Sequence, residues 1–282
     1  MILVADSGST KCDWIITDRK GSRQYEFMTE GINPTINSKI VIKKLIEKSR
    51  ELMLHKSLIS EVYFYSAGCG TIKADKKMKG IFESFFESVK HININGDIAA
   101  AVHATTQNPG VVCILGTGSN CCFYDGEHIF LKNPSLGYLL GDEGSGNVLG
   151  RELLKHYYLK TMPEAIKVHF EKEYQTDLEL VLEQLYQQPN PNRYLATFAK
   201  FIFQHRNEPF IENLLRENIS KFIDSCLYSY KNELDRYPVH FVGSIAYYSQ
   251  DIIKTLLIER GYKPGNFVKK PIENIIKFIA DN

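Results

Sequence analysis

The chain has 282 residues, 44% apolar and 24% charged, the proportions of an ordinary globular protein with length for one large or two medium domains. Its 34 Lys+Arg against 33 Asp+Glu leave no basic footprint and speak against nucleic acid as a partner. No apolar run approaches the roughly 20 residues that span a bilayer, and Asp6 falls where a secretory leader would still be apolar, so the expectation is a cytoplasmic protein without membrane contacts.

In chain order, strands are predicted over Ile2–Ala5, Cys12–Thr17 and Gln24–Met28, with a polar, glycine-containing loop after the first and a Lys20-Gly21 turn after the second. Ile40, Leu45, Ile46, Leu52 and Met53 recur at helical spacing and predict a helix from about Ser38 to Lys56. The apolar strand Val62–Tyr65 ends in Ala67-Gly68-Cys69-Gly70, and a helix follows from about Ala74 to Ser88. A short strand, His91–Ile94, leads through Asn95-Gly96 into a helix opening at Asp97. The order is βββαβαβα.

The second half restarts the pattern. Strands are predicted over Val111–Leu115, Asn120–Tyr124 and His128–Leu131, the last two joined by an Asp125-Gly126 turn. From Gly146 to Arg236 the periodicity is almost wholly helical, broken at Gln188-Pro189-Asn190-Pro191. Val239–Val242 then reads as a strand, Gln250–Arg260 as a helix, Phe267–Val268 as a short strand and Ile272–Ala280 as a helix. Without the helical insertion the first order returns, which makes this an internal duplication by topology. The expected organisation is an amino-terminal domain over 1–108 and a carboxyl-terminal domain over 109–282, with the insertion at about 147–236 and the last helix packing back on the first domain. Two such halves would enclose a cleft at the carboxyl ends of their strands, where open α/β sheets bind ligands.

Both hairpin loops have the chemistry of a phosphate cradle. Asp6-Ser7-Gly8-Ser9-Thr10-Lys11 supplies backbone N–H groups, hydroxyls and a cation, and Gly8 permits close approach. Such a loop also serves as a plain turn, but Leu115-Gly116-Thr117-Gly118-Ser119-Asn120 repeats it, and a clamp on a polyphosphate needs a pair. Asp6, at a strand end, suits Mg²⁺, which takes one or two carboxylates beside phosphate oxygens. Asp97 can cap its helix and can equally take a proton from an attacking hydroxyl. Leu140-Gly141-Asp142-Glu143-Gly144-Ser145-Gly146 holds two acids among glycines, which suits Asp142 to the hydroxyls of a sugar; Glu143 could reach sugar or metal. Gly243-Ser244 could border an adenine, and Asn33, in a Pro turn, could bring its amide to the cleft mouth. The six cysteines, Cys12, Cys69, Cys113, Cys121, Cys122 and Cys226, form no CxxC pair and read as buried thiols.

Taken together, DSGSTK, NGDIAAA, LGTGSN, LGDEGSG and VGSIA, in this order and spacing, resemble the BadF/BadG/BcrA/BcrD-type ATPases, and among them the N-acetylglucosamine kinases. The resemblance covers nearly the whole chain. It implies an α/β fold of duplicated ribonuclease H-like, actin-like ATPase domains, related to hexokinase and Hsp70, and an ATP- and Mg²⁺-dependent transfer to the 6-hydroxyl of an amino sugar. By position it implies Gly8, Ser9, Thr10, Lys11, Gly116, Thr117 and Gly118 at the ATP phosphates, Gly243 and Ser244 at the adenine and Asp6 at the metal. It further implies Asp97 as general base, with Asn33, Ser135, Leu136, Gly137 and Asp142 at the sugar. Family members often carry Trp where Leu136 aligns. The alternative within the resemblance is an ATPase that activates a dehydratase or reductase through an iron–sulfur cluster shared between subunits. A homodimer is left open.

Overall fold

The computed structural model describes residues 1–8 and 10–281, and Ser9, expected at the nucleotide, lies outside them. The chain forms two compact units, one of residues 1–107 and 270–282 and the other of residues 108–269. Each is built on one five-stranded mixed sheet.

In the first unit β1 (Ile2–Ser7), β2 (Lys11–Thr17) and β3 (Arg23–Glu30) form an antiparallel meander. β4 (Glu61–Ser66) and β5 (His91–Gly96) then add in parallel on the other side of β1, giving the order β3-β2-β1-β4-β5. The near-continuous apolar run of β1 is explained by this central place, where both faces are covered. One face carries a core of Leu3, Ala5, Trp14 and Phe64 with helical Ile42, Ile46, Met78 and Phe82. α4 (Asp97–Thr105) and the last helix, α15 (Pro271–Asp281), pack on each other and on β1.

The single helix expected over Ser38–Lys56 is two, α1 (Lys39–Lys48) and α2 (Arg50–His55). Ser49 between them is extended, and its hydroxyl accepts from Leu52 N–H to start the second helix. Capping by serine competes here with continuous helical periodicity and wins. α3 (Ile72–Phe85) begins two residues ahead of the expected start at Ala74, because the hydroxyl of its cap Thr71 accepts from Ala74 N–H.

The second unit repeats the plan. β6 (Gly110–Leu115), β7 (Ser119–Tyr124) and the two-residue β8 (Ile129–Phe130) are antiparallel. β9 (Val239–Val242) and β10 (Pro264–Val268) add in parallel beyond β6. The order β8-β7-β6-β9-β10 is that of the first sheet, strand for strand. Between β8 and β9 the inserted run is helical, with α5 (Gly137–Leu140), α6 (Gly146–Tyr158), α7 (Glu164–Glu173), α8 (Leu178–Tyr186), α9 (Pro191–Thr197), α10 (Ala199–Gln204), α11 (Pro209–Cys226) and α12 (Lys231–Leu234). Leu149, Leu153, Phe170, Phe201, Leu215, Ile219 and Phe222 from these helices bury the face of the sheet that carries Val111, Cys113 and Leu115. After β9 come α13 (Ser244–Tyr248) and α14 (Gln250–Glu259). Among the described residues no helix is long and apolar enough to cross a membrane.

Candidate functional site

In the first unit the predicted residues gather at the carboxyl end of the central strands. The β1–β2 turn is closed by Gly8 N–H donating to Lys11 O at 3.0 Å. That turn sets Asp6 directly across from Asp13 in the antiparallel register. Lys11 Nζ sits 2.7 Å from Asp13 Oδ2, so the cation expected at the phosphates is paired within its own hairpin. Asp6 feels that cation only as the smallest of the influences on it. Burial first, then the Asp13 and Asp97 carboxylates, push its pKa up to about 7. Thr10 is exposed at the turn, its carbonyl accepting from Gly31 N–H at 3.1 Å.

Asp97 follows β5, whose last residue Gly96 lies in register with Ser66 of β4, itself in register with Ser7 of β1. Gly96 holds the capping position of α4, and Asp97 is the first helical residue rather than the cap. Burial raises its pKa, opposed by the N–H groups of Ile98 and Asp97 itself. Behind it, α4 is fastened to α15 by Asn274 Nδ2 donating to Ala104 O at 2.8 Å and by Phe278 stacked on His103 at 4.0 Å. Asn33 commits its side-chain carbonyl to the turn, accepting from Thr35 N–H at 2.9 Å and Thr35 Oγ1–H at 2.6 Å. Its amide N–H₂ takes no part in that turn.

In the second unit Gly116-Thr117-Gly118 spans β6 and β7, closed by Gly116 N–H donating to Gly118 O at 3.0 Å. A side chain at Gly116 would meet nothing within 4 Å, so one side of the loop is open. Asp142 lies against the loop. It has φ 69°, and its Oδ1 accepts from Ser119 N–H at 3.1 Å while its Oδ2 accepts from Asn147 Nδ2–H at 2.8 Å. A Cβ on Gly118 would stand 2.9 Å from that carboxylate, so the close approach requires glycine there. The carboxylate expected at the sugar thus also braces the second glycine loop. Neighbouring Glu143 is half-buried and has no hydrogen-bond partner among the described residues. Ser135, Leu136, Asp142 and Glu143 line one cavity of about 670 Å³ within this unit, closed on another side by Phe222 and Cys226. Gly137, beside it, opens α5 at φ 69°.

Gly243 follows β9 with φ 112°, and a Cβ on it would lie 2.3 Å from Leu115 O. Glycine is therefore required by the approach of β6, and Ser244 starts α13 beside it. Asp13, Asn147 and Asn218 escaped the sequence reading. Asp13 was reachable, since a turn closed between Gly8 and Lys11 places it opposite Asp6. Asn218, whose Oδ1 accepts from Gly144 N–H at 3.1 Å, and Asn147 carry no local signal.

The Asp13 and Asp97 carboxylates act on Asp6, with Lys11 as the counter-charge. Carboxylates are the donors Mg²⁺ takes, one or two of them beside phosphate oxygens, but no group of three or more His, Cys, Asp or Glu among the described residues is placed to hold a metal ion. Burial pushes the thiols of Cys69 and Cys121 up to about 12 and raises those of Cys12 and Cys113 well above the ordinary thiol value, so these cysteines stand as neutral thiols.

No family model matches the chain. A crystal structure of a candidate N-acetylglucosamine kinase from Porphyromonas gingivalis is 35% identical, with TM-score 0.92, covering 100% of this chain and 99% of that one. A second candidate N-acetylglucosamine kinase, from Chromobacterium violaceum, has TM-score 0.71 at 15% identity over 99% and 98% of the chains, a likeness of fold. The N-acetyl-D-glucosamine kinase of Dictyostelium discoideum is 27% identical over 166 residues, 54% of this chain, and the match spans about half, 52%, of that protein. With the duplicated sheets and paired glycine loops in place, a likeness at this identity along the full length establishes that the chain belongs to the N-acetylglucosamine kinase-like family of actin-fold ATPases.

Proposed function

We propose that this protein is an ATP-dependent sugar kinase that phosphorylates the 6-hydroxyl of an amino sugar, with N-acetylglucosamine as the first acceptor to test. The observation that carries the reading is Asp97. It is a carboxylate at the end of a parallel strand, raised above its ordinary range by burial and preceded by Gly96, in a chain of this family.

In the proposed reaction the Asp97 carboxylate takes the proton from the sugar hydroxyl as that oxygen bonds to the γ-phosphorus. The bond from γ-phosphorus to the β–γ bridging oxygen breaks, and ADP leaves. Thr10 and the N–H groups of the Gly8 and Gly116–Gly118 loops would hold the phosphates, and Gly243 and Ser244 would border the adenine. Asp6 would hold the Mg²⁺ that accompanies ATP; the ion supplies neutralisation of the charge on the transferred group. Cation binding would return Asp6 from its raised pKa to the ionised form. Asp142, Ser135 and Leu136, with Glu143 beside them, would bind the sugar, and Asn33 would offer its free amide.

A coupled ADP-release assay over a panel of hexoses and amino sugars tests this reading. Stimulation greatest with N-acetylglucosamine, abolished in Asp97→Asn with nucleotide binding retained, is the expected result. Near-normal sugar-dependent turnover in Asp97→Asn would refute the assignment of the base. The absence of stimulation by any sugar would refute the kinase reading.

A further inference from the structure

Asn147 has no assigned role, yet it is 1% exposed and sits where the glycine loop, the Asp142 loop and the start of α6 meet. Its backbone N–H donates to Thr117 O at 3.1 Å, and its Nδ2 donates to the same oxygen at 2.7 Å. The other Nδ2 hydrogen goes to Asp142 Oδ2 at 2.8 Å. Beside it, Gly146 N–H donates to Gly116 O at 2.8 Å. Asn147 Oδ1 is buried with no partner. Reversing the amide would set that oxygen against a carbonyl and a carboxylate, so the orientation is fixed by its surroundings. This position uses asparagine as a double donor and leaves its acceptor unsatisfied, which a residue present for packing alone would not require.

The consequence follows from the planarity of the trans peptide, in which C=O and the next N–H point in opposite directions. Thr117 O is held toward α6 by two donors, so Gly118 N–H faces away from α6. Gly116 O is held the same way, so Thr117 N–H does too. Neither N–H finds an acceptor among the described residues. Two adjacent amides facing one way form a concave anion site.

We infer that Asn147 is a positioning residue that locks the Thr117–Gly118 peptide so that Gly118 N–H is presented to a phosphate of the nucleotide. Through Asp142 it ties that loop to the wall of the acceptor cavity. The inference rests on the proposed kinase function for the identity of the anion as a nucleotide phosphate. The hydrogen-bond pattern itself stands apart from that reading.

The test uses the full chain and two readouts, titration with the non-hydrolysable analogue AMPPNP·Mg²⁺ in the absence of sugar, and steady-state kinetics. Asn147→Asp keeps the volume and removes both donors, and it is expected to weaken AMPPNP binding by about tenfold or more, with KM for ATP rising in parallel. Because that variant also sets two carboxylates together, it is paired with the exchange Asp142→Asn/Asn147→Asp. In the exchange, the amide introduced at position 142 can accept from Ser119 N–H and donate to the carboxylate introduced at position 147. That restores the brace and the melting temperature but supplies no side-chain donor to Thr117 O. The exchange variant is expected to melt like the wild type and still bind AMPPNP weakly. Wild-type AMPPNP affinity in the exchange variant, or in folded Asn147→Asp, would overturn the inference. A wild-type protein that binds AMPPNP but phosphorylates no sugar would sink the kinase reading and leave the inference standing on the binding data.

Discussion

Gly243→Ala separates a packing requirement from backbone strain. At φ 112° an added Cβ would stand 2.3 Å from Leu115 O, 2.8 Å from Leu115 C and 3.3 Å from Gly116 N. Ordinary contacts begin near 3.4 Å, so the Leu115 carbonyl must retreat by about 1 Å. The positive-φ extended backbone, ψ 164°, costs about 1–3 kcal/mol for a residue with a side chain, and the overpacking adds about 1–3 kcal/mol. The sum, on the order of 2–6 kcal/mol, falls on the second unit. The displaced carbonyl is one bond from Gly116 of the glycine loop, and a shift of about 1 Å at a positioning group can lower turnover by about 10²-fold. Urea unfolding and kcat/KM for ATP report the two effects. Gly261→Ala is the control, since Gly261 has φ 77° with nothing within 4 Å of the added atom. It should cost the strain of about 1–2 kcal/mol and leave kcat/KM for ATP unchanged. If the two variants lose equal stability and equal activity, the close approach of Gly243 to Leu115 is not what fixes the loop.

Asp6→Asn tests the crowded acid set. The folded pKa of Asp6, about 7, lies above the ordinary 3.8, so the folded state holds the proton more tightly and that stabilisation is lost as pH rises from about 4 to about 7. The neutral variant should gain on the wild type across that window, by on the order of 4 kcal/mol at pH 8, and an advantage that does not grow between urea melts at pH 4 and pH 8 would contradict the cause given. Ile275→Ala removes a fully buried side chain of α15 and should cost about 2–5 kcal/mol in the first unit. Because α15 supports α4, it should also lower kcat; a stability loss with kcat intact would show that α4 holds Asp97 without that support. Glu143→Gln keeps the shape of an unpaired carboxylate on the acceptor cavity, so KM for sugar should rise by about tenfold while KM for ATP stays fixed. An unchanged sugar KM would remove Glu143 from the acceptor contacts.

The duplication was legible because turn chemistry and strand alternation are local. Gly8 and Gly116 each interrupt an apolar run, and the hairpins could be counted from there. Asp97 was legible for the same reason, lying after a short strand and Asn95-Gly96. The brace between Asp142 and the glycine loop was not. Its partners Ser119 and Asn147 lie on either side of it in the chain, and only the fold brings the carboxylate over Gly118. A glycine-rich segment with two acids reads as a ligand loop whether its acids face a ligand or a backbone. The break at Ser49 was hidden for a different reason, because the apolar residues on both sides of it keep helical spacing while the serine hydroxyl sets a new start. Asn147 illustrates the general limit: a buried asparagine in the first turn of a helix has no pattern, and its worth lies wholly in what it donates to.

The first unit is made of residues 1–107 and 270–282, while the second runs unbroken from 108 to 269. During synthesis the second unit can therefore close its own core while the first still lacks the helix that covers α4. Until residues 270–282 emerge, the apolar surface that receives Ile272, Ile275 and Ile276 stands exposed. The contact between α15 and α4 spans most of the chain in sequence, a closure that comes late and slowly. The amino-terminal half, made first, is thus finished last. The nascent chain passes through a stage in which the face of α4 that α15 covers stands open to water, directly behind Asp97.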